Sequence, residues 1–282
     1  MKEIIIVNPE EFERKKSVFI LAGASKLHVV SDFDRTLTVA FSNGEELPTA
    51  IAQIRKGSYI SPKYVKEAYA LHDYYYPIEI NPNIPFAEKN VKMNEWWNKH
   101  LKLIVDSGLS KQIMEKIILD QRIVGRPGID KFFKILDDVD VPVLILSAGL
   151  GDFIEKYMGD KGFLSSNIYI ISNFFKFDGN GKAVGYKSKI IHSLNKDEAQ
   201  AKGSKYFKKI SGRINVLLLG DSVEDIKMSA GMNHKGIIKV GFLNKNIDEN
   251  IEYFRKNFDV IILNDGPMDF VNDLLEEIFG EK

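Results

Sequence analysis

Two aspartates one residue apart follow a run of apolar and β-branched residues in "VVSDFDRTLT" (29–38). Placing Asp32 and Asp34 at the tip of a buried strand costs free energy, because two like charges there repel each other. Such a pair is expected only where a counter-charge neutralises it or a reaction uses it. Two more carboxylates, Asp221 and Asp225, follow a second apolar run in "LLLGDSVED". These are hard oxygen ligands with no His or Cys in their motifs, which favours Mg²⁺ as the neutralising cation.

Other residues of the chain are suited to binding a phosphate group. Ser147 and Ala148, in "SAGLG", end an apolar run, and backbone amides near the start of a helix bind anions well. Lys196, in "HSLNKDEA", adds a positive charge. Because the sequence contains no cysteine, a carboxylate is the best-placed nucleophile toward phosphorus. We expect Asp32 to attack, and Asp34 to protonate the leaving oxygen and then activate water.

Six short apolar runs predict the strands that position these side chains, at 27–33, 141–147, 167–172, 214–220, 236–241 and 258–263. Helical patterns follow most of them, and this alternation predicts a doubly wound, Rossmann-like α/β domain. Ligands bind such a sheet at the carboxyl ends of its strands. Each motif is common by itself, but their shared position at strand ends predicts a single site.

The long gap between the first two predicted strands contains helical patterns of its own. One helix is predicted to begin at Ser61, as N-cap, with Pro62 at the first helical position. We therefore expect a helical cap domain at 42–122, inserted into an α/β core made of 1–41 and 123–282. The stretch "FKFDGNGKAVGYK" (175–187) predicts a β-hairpin with its turn at Asn180-Gly181. A lysine at its fifth loop position argues against a calcium site.

Composition excludes several classes of protein. The 282 residues include 39 Lys+Arg and 39 Asp+Glu, and this balance argues against a dedicated nucleic-acid binder. Without cysteine there is no disulfide or thiolate metal site. No run approaches the roughly 20 apolar residues of a membrane span, and the N-terminus does not resemble a signal peptide. We expect a cytoplasmic protein with no membrane, nucleic-acid or protein partner.

Taken together, "DFDRTLT", "SAG", Lys196 and "GDSVED" resemble the four motifs of the haloacid dehalogenase superfamily. The second aspartate places the chain with the phosphatase and phosphomutase branch. The stretches "YYYPIEINP", "EWWNK", "SAGLGDFIE" and "NKDEA" are, more specifically, similar to the type III cytosolic pyrimidine 5′-nucleotidases. This resemblance extends from about residue 18 to the last helix and includes the predicted cap.

The resemblance implies a Mg²⁺-dependent enzyme that hydrolyses nucleoside 5′-monophosphates through an aspartyl phosphate. The substrates would be pyrimidine nucleotides such as CMP and UMP, or 7-methylguanosine monophosphate, which some members prefer. It implies a metal held by the Asp32 side chain, the Asp34 backbone carbonyl and Asp221, with Asp225 as a further candidate. It implies phosphate held by Ser147, Ala148 and Lys196.

Recognition of the base is the less defined part of the resemblance. Glu79, in "PIEINP", matches the family's base-recognising glutamate. His100 stands where the family usually has a serine that touches the base, and it is equally interpretable as a surface histidine of an amphipathic helix. Trp96 and Trp97 are adjacent on a predicted helix, so they point about 100° apart and at most one is expected to stack on a base.

The same motifs bear on three alternatives to a nucleotidase. One is a phosphatase of this superfamily that acts on another small phosphate ester, such as a phosphorylated amino acid; the helical insertion distinguishes it, and "PIEINP" favours nucleotides. A phospho-acceptor signalling domain would be far shorter and would have no aspartate two residues after the acceptor. A non-catalytic binder is disfavoured because all the motif carboxylates, Ser147 and Lys196 are present.

Overall fold

The computed structural model describes residues 3–81, 83–120, 123–187 and 189–280. The strands in these ranges are β1 (Ile4–Ile6), β2 (Leu27–Ser31), β3 (Phe41–Ser42), β4 (Glu45–Glu46), β5 (Val143–Leu150), β6 (Ile168–Asn173), β7 (Phe175–Phe177), β8 (Ala183–Tyr186), β9 (Asn215–Gly220), β10 (Gly236–Leu243) and β11 (Val260–Leu263). The α-helices are α1 (Pro9–Ala22), α2 (Ala50–Lys56), α3 (Pro62–Ile80), α4 (Phe86–Asp106), α5 (Lys111–Asp120), α6 (Ile129–Asp138), α7 (Gly151–Asp160), α8 (Lys205–Lys209), α9 (Ile247–Arg255) and α10 (Asp269–Phe279).

A central sheet organises the α/β part of the chain. Within the described ranges it has seven strands in the order β1-β11-β10-β9-β2-β5-β6. The six predicted strands are all present and parallel. The edge strand β1 is antiparallel, with Ile4 opposite Ile262, and it was not predicted because its short apolar stretch leads straight into charged residues. The predicted α/β class is confirmed.

The sheet is covered on both faces, as a parallel sheet requires. Val29 and Val30 of β2 are both fully buried but point to opposite sides. Val29 belongs to the hydrophobic cluster formed with α1, α6 and α10. Val30 belongs to a second cluster that includes Tyr206 of α8. This double burial explains why the strands appear as continuous apolar runs in the sequence.

Helices α2 to α5 pack on one another over the carboxyl edge of the sheet. The predicted start of α3 is present, since Ser61 Oγ accepts a hydrogen bond from the Tyr64 amide at 3.1 Å. The hairpin β7–β8 contributes Phe175 and Ala183 to the hydrophobic cluster of these helices. The cap boundaries at 42 and 122 stay predictions, and the second falls at residues 121–122, which lie outside the described residues.

Two short 3₁₀-helices lie next to motif residues. One follows Asp221, at Val223–Ser229, and the other follows the loop that contains Lys196, at Glu198–Ala201. Each begins at a polar side chain that hydrogen-bonds locally, since Ser222 Oγ accepts from the Glu224 amide and Asp197 Oδ1 accepts from the Ala199 amide. As for membrane spans, none of the described helices combines the length and apolarity that crossing a bilayer demands.

Candidate active site

Three carboxylates meet at the carboxyl edge of the sheet. Asp32 follows β2 and Asp221 follows β9, and these strands are parallel neighbours with Ser31 paired to Leu219. Asp225 joins them from the first turn of the 3₁₀-helix. Ligand oxygens of Asp32, Asp221 and Asp225 all lie within 4.8 Å of one another. The sheet register therefore places the carboxylates of two distant motifs in one cluster.

Lys196 provides the positive charge inside this cluster. Its Nζ lies 2.5 Å from Asp32 Oδ1 and 2.9 Å from Asp225 Oδ1. The second oxygen of Asp225 accepts a hydrogen bond from the Ser222 amide at 3.1 Å. Asp225 is 2% exposed and Lys196 7% exposed, so the ion pairs are shielded from water and are stronger than surface pairs.

Burial and like charge set the protonation of these groups. Burial raises the pKa of Asp32 above its usual range, and the Lys196 ammonium opposes that rise. Burial, with the charges of Asp225 and Asp32, raises the pKa of Asp221 strongly. Burial alone would lower the pKa of Lys196, but Asp225 and Asp32 outweigh it and raise that pKa. The cluster thus holds more negative charge than Lys196 can balance.

The "SAG" residues, in the irregular carboxyl end of β5, lie close to Asp34. Ser147 Oγ accepts a hydrogen bond from the Gly149 amide at 2.9 Å, and the Ala148 carbonyl accepts one from Asn173 Nδ2 at 2.9 Å. A Cβ on Gly149 would lie 3.1 Å from Ser147 Oγ and 3.2 Å from Asp34 Oδ2. Glycine at this position lets the end of β5 approach the Asp34 carboxylate closely.

A cavity of about 980 Å³ connects the carboxylate cluster with the cap helices. At its floor it is lined by the predicted catalytic and phosphate residues Asp32, Asp34, Ser147, Ala148, Lys196 and Asp221. On the cap side it is lined by Glu79 of α3 and Trp97 of α4. Its volume is within the range of small-molecule sites in proteins.

Glu79 bridges the cap and the Lys196 loop. Its Oε1 accepts a hydrogen bond from Ser193 Oγ at 2.5 Å, and its backbone carbonyl accepts one from Lys89 Nζ at 2.9 Å. Burial raises the pKa of Glu79, while the Ser193 hydroxyl opposes that rise. Ser193 is three residues before Lys196, so the same loop contacts the base-recognition candidate and the nucleophile.

Comparison with known proteins places the chain in a family. The family model for pyrimidine 5′-nucleotidases (UMPH-1) matches residues 35–279. A relative from Xenopus laevis, the 7-methylguanosine phosphate-specific 5′-nucleotidase A, is 37% identical over 270 residues, covering 95% of this chain and 93% of the relative. The chain belongs to the pyrimidine 5′-nucleotidase family.

Further comparisons agree with this membership. A Caenorhabditis elegans relative named putative cytosolic 5′-nucleotidase 3 is 32% identical, over 98% of this chain and 76% of its own length. The crystal structure of cytosolic 5′-nucleotidase IIIB bound to cytidine superposes with a TM-score of 0.90 at 28% identity, covering 100% of this chain and 95% of that one. A haloacid dehalogenase family hydrolase from Salmonella enterica matches with a TM-score of 0.58 at 14% identity, over 95% and 81% of the two chains, and shows the shared fold. The family and fold predictions are confirmed.

In this pyrimidine 5′-nucleotidase family member the two tryptophans of α4 have different environments. Trp96 is 9% exposed and stacks on Tyr75 of α3, with ring centroids 5.8 Å apart. Trp97 lines the cavity. Trp97 is therefore the ring exposed to the cavity beside the carboxylate cluster, and stacking of either ring on a base stays a prediction.

His100 lies deeper in the cap than a surface histidine would. It is 3% exposed, and its Nε2 lies 3.2 Å from the Tyr64 hydroxyl. Burial lowers the pKa of His100 to about 3, so the imidazole is neutral. It lines a second cavity of about 430 Å³ that also contacts Glu79 and Trp97. The interpretation as an exposed histidine is wrong, and a role toward the base stays a prediction.

Sequence reasoning missed Arg126, which supports the loop after Asp34. Its guanidinium is fully buried and donates hydrogen bonds at 2.5–3.1 Å to the carbonyls of Arg35, Thr36, Thr38 and Gly266. Arg35 has a left-handed φ of 63°, which costs free energy for a residue with a side chain. Arg126 stabilises that conformation. Nothing in "VGRPG" distinguishes this arginine from a solvent-exposed one.

Proposed function

We propose that this family member hydrolyses nucleoside 5′-monophosphates to nucleoside and phosphate, with Mg²⁺ as cofactor. The observation that carries the proposal is the single cavity that contacts the Asp32–Lys196 pair at one end and Glu79 and Trp97 at the other. A phosphoryl group fits the charged end and a base the cap end. The residues 42–122 would act as the specificity cap over the α/β core.

The carboxylate cluster fits a divalent cation. The oxygens of Asp32, Asp221 and Asp225 converge, and their charge exceeds that of the Lys196 ammonium. All donors are hard oxygens, which Mg²⁺ prefers. Asp32 and Asp221 would hold the ion with the Asp34 backbone carbonyl, and Asp225, already paired with Lys196, would contribute charge. When bound, Mg²⁺ would neutralise the phosphate oxygens and orient the phosphoryl group.

The side chains of this chain supply the remaining steps. Asp32 attacks phosphorus with a carboxylate oxygen, and the bond from phosphorus to the 5′-oxygen breaks as Asp34 donates a proton to that oxygen. Asp34 then takes a proton from water, which attacks the phosphorus of the aspartyl phosphate. Orthophosphate leaves and the Asp32 carboxylate is regenerated. Lys196, Ser147 and Ala148 hold the phosphate oxygens throughout.

Glu79 and Trp97 are proposed to select the base. An ionised carboxylate only accepts hydrogen bonds, so Glu79 suits a base that presents an amino group, such as cytosine. The 7-methylguanine base presents an amino and an N–H group, and its cationic ring would stack favourably on Trp97. The cytidine in the solved relative and the name of the Xenopus relative support CMP and 7-methylguanosine monophosphate as the substrates to test first.

A panel of nucleoside monophosphates tests the proposal, with p-nitrophenyl phosphate as a substrate that has no base. We expect CMP or 7-methylguanosine monophosphate to exceed AMP in kcat/KM, UMP to be used less well, and EDTA to stop turnover. Equal rates for all nucleotides and for phosphoserine would favour the alternative, a phosphatase of another small phosphate ester. A cytosolic location is proposed from the name of the Caenorhabditis elegans relative.

A further inference from the structure

A second cluster of metal-ligand side chains lies away from the carboxylates of the active site. His28 is the second residue of β2, Glu198 opens the 3₁₀-helix after the Lys196 loop, and His234 lies in the loop before β10. One ligand atom from each lies within 4.8 Å of the other two. His28 Nε2 lies 3.0 Å from Glu198 Oε1, and His234 Nε2 lies 2.9 Å from Glu198 Oε2. Three separate segments thus direct an imidazole, a carboxylate and an imidazole to one point.

The cluster is buried and incompletely hydrogen-bonded. The side chains of His28 and Glu198 are 0% exposed and that of His234 is 3% exposed. His28 Nε2 lies 3.0 Å from Glu198 Oε1 but is poorly aligned for a hydrogen bond, and Nδ1 has no hydrogen-bond partner among the described residues. A fully buried imidazole with one unpartnered and one poorly aligned nitrogen is unfavourable, and native proteins seldom leave such a group without a ligand or water. A metal ion at Nε2 would use one of these nitrogens.

We propose that His28, Glu198 and His234 bind a Zn²⁺ ion, with water as the fourth ligand. Two imidazoles and one carboxylate are a donor set that zinc takes with three protein ligands and one open position. Mg²⁺ is disfavoured here because it prefers oxygen donors and octahedral geometry. Tyr206 supports the carboxylate, since its hydroxyl donates a hydrogen bond to Glu198 Oε1 at 2.5 Å, an outer contact typical of metal ligands.

The position of this site gives it a positioning role for the reaction. Glu198 is two residues after Lys196, and His28 lies on β2, four residues before Asp32, which directly follows that strand. A bound ion would fasten the irregular Lys196 loop to the strand that carries Asp32. The site contributes no residue to the cavity of the active site. The proposal does not depend on the substrate, and it stands or falls separately from the proposed nucleotidase activity.

Co²⁺ titration of the whole protein in saturating Mg²⁺ tests the site. Tetrahedral Co²⁺ with nitrogen ligands absorbs visible light strongly, whereas octahedral Co²⁺ on carboxylates absorbs weakly. We expect one strongly absorbing Co²⁺ per chain, displaced by one equivalent of Zn²⁺. His234→Gln should weaken Co²⁺ binding by more than about 100-fold. Loss of a residue that only supports a metal ligand weakens binding by about 10- to 100-fold, so loss of a ligand itself should cost more.

Two control variants separate this site from the rest of the molecule. Asp221→Asn removes a carboxylate of the active-site cluster, and His72→Gln removes a histidine of α3 outside both clusters, so both should keep the band. Zn²⁺ should also raise the melting temperature of the wild type but not of His234→Gln. The proposal is overturned if the wild type shows no strong band in Mg²⁺, or if the band survives His234→Gln and disappears in Asp221→Asn.

Discussion

Nζ of Lys196 lies 2.5 Å from Oδ1 of Asp32, and both side chains are more than nine-tenths buried. The same nitrogen reaches Asp225 at 2.9 Å. Lys196 is therefore the internal counter-charge for Asp32, at the tip of a buried strand, and for Asp225, on the 3₁₀-helix beside it. It also contacts the carboxylate that attacks phosphorus in our proposed reaction, which links stability and activity in one contact.

Replacement of this lysine should destabilise the protein. Lys196→Met leaves buried carboxylates without their partner, and the expected loss in the free energy of unfolding is about 3–5 kcal/mol. Lys209→Met is the matched control, because Lys209 pairs with Asp140 at the same 2.5 Å while both side chains are solvent-accessible. That change should cost no more than about 1 kcal/mol. Urea unfolding of the metal-free variants measures both, and equal losses would contradict a structural role for the buried pair.

Replacing either aspartate of "DFDRT" with asparagine should impair catalysis, but each replacement should block a different step. Asp32→Asn removes the nucleophile, so turnover should fall by several orders of magnitude with the fold intact. Asp34→Asn removes the acid and base, at a cost of about 10²- to 10⁴-fold in kcat. With p-nitrophenyl phosphate, whose leaving group needs no proton, Asp34→Asn should still release one equivalent of p-nitrophenolate quickly. Stopped-flow absorbance measures this burst, and a comparable burst in Asp32→Asn would refute the assignment.

Metal exchange should show that the carboxylate cluster needs a small, octahedral cation. We expect no turnover after EDTA treatment, recovery with Mg²⁺, and inhibition when Ca²⁺ competes with Mg²⁺. The larger Ca²⁺ takes more ligands at longer distances, which would disturb the alignment of Asp32 with phosphorus. Initial rates of CMP hydrolysis across a Ca²⁺ series at fixed Mg²⁺ test this. Full activity in EDTA would show that the cluster works without a metal.

Glu79 should affect nucleotides and leave a substrate without a base unchanged. A buried hydrogen bond to a charged group contributes about 1.5–3 kcal/mol, or roughly 10- to 150-fold in kcat/KM. Glu79→Ala should therefore lower kcat/KM for CMP by that factor and barely change p-nitrophenyl phosphate. Ser193→Ala is the matched control, because it removes the hydroxyl bonded to Glu79 and keeps the carboxylate. Equal losses on both substrates in Glu79→Ala would make Glu79 structural or catalytic.

The central sheet was predictable because Val29, Val30 and their counterparts are buried on both faces, which leaves unbroken apolar runs in the sequence. The gathering of Asp32 and Asp221 was predictable as well, since parallel strands end at one edge. By contrast, the strand β1 depends on a distant partner, since Ile4 pairs with Ile262 at the other end of the chain. Local sequence carries no signal for such a pairing.

The side-chain contacts between segments were not predictable in the same way. The four carbonyls that Arg126 binds become neighbours only after the chain has folded. The contact of Ser193 with Glu79 joins a core loop to a cap helix. The sequence predicts base stacking by at most one of the adjacent tryptophans, but only packing shows that Trp96 is buried against Tyr75 and that Trp97 lines the cavity.

The central claim is that Asp32 carries the phosphoryl group, and chemical trapping of the intermediate tests it most directly. Asp34→Asn enzyme with Mg²⁺ and p-nitrophenyl phosphate should accumulate the acyl phosphate, which borohydride reduces to an alcohol. Peptide mass spectrometry should then find homoserine at position 32, only when substrate is present. Reduction at another residue, or rapid release of one equivalent of p-nitrophenolate without any modified residue, would contradict a covalent intermediate on Asp32.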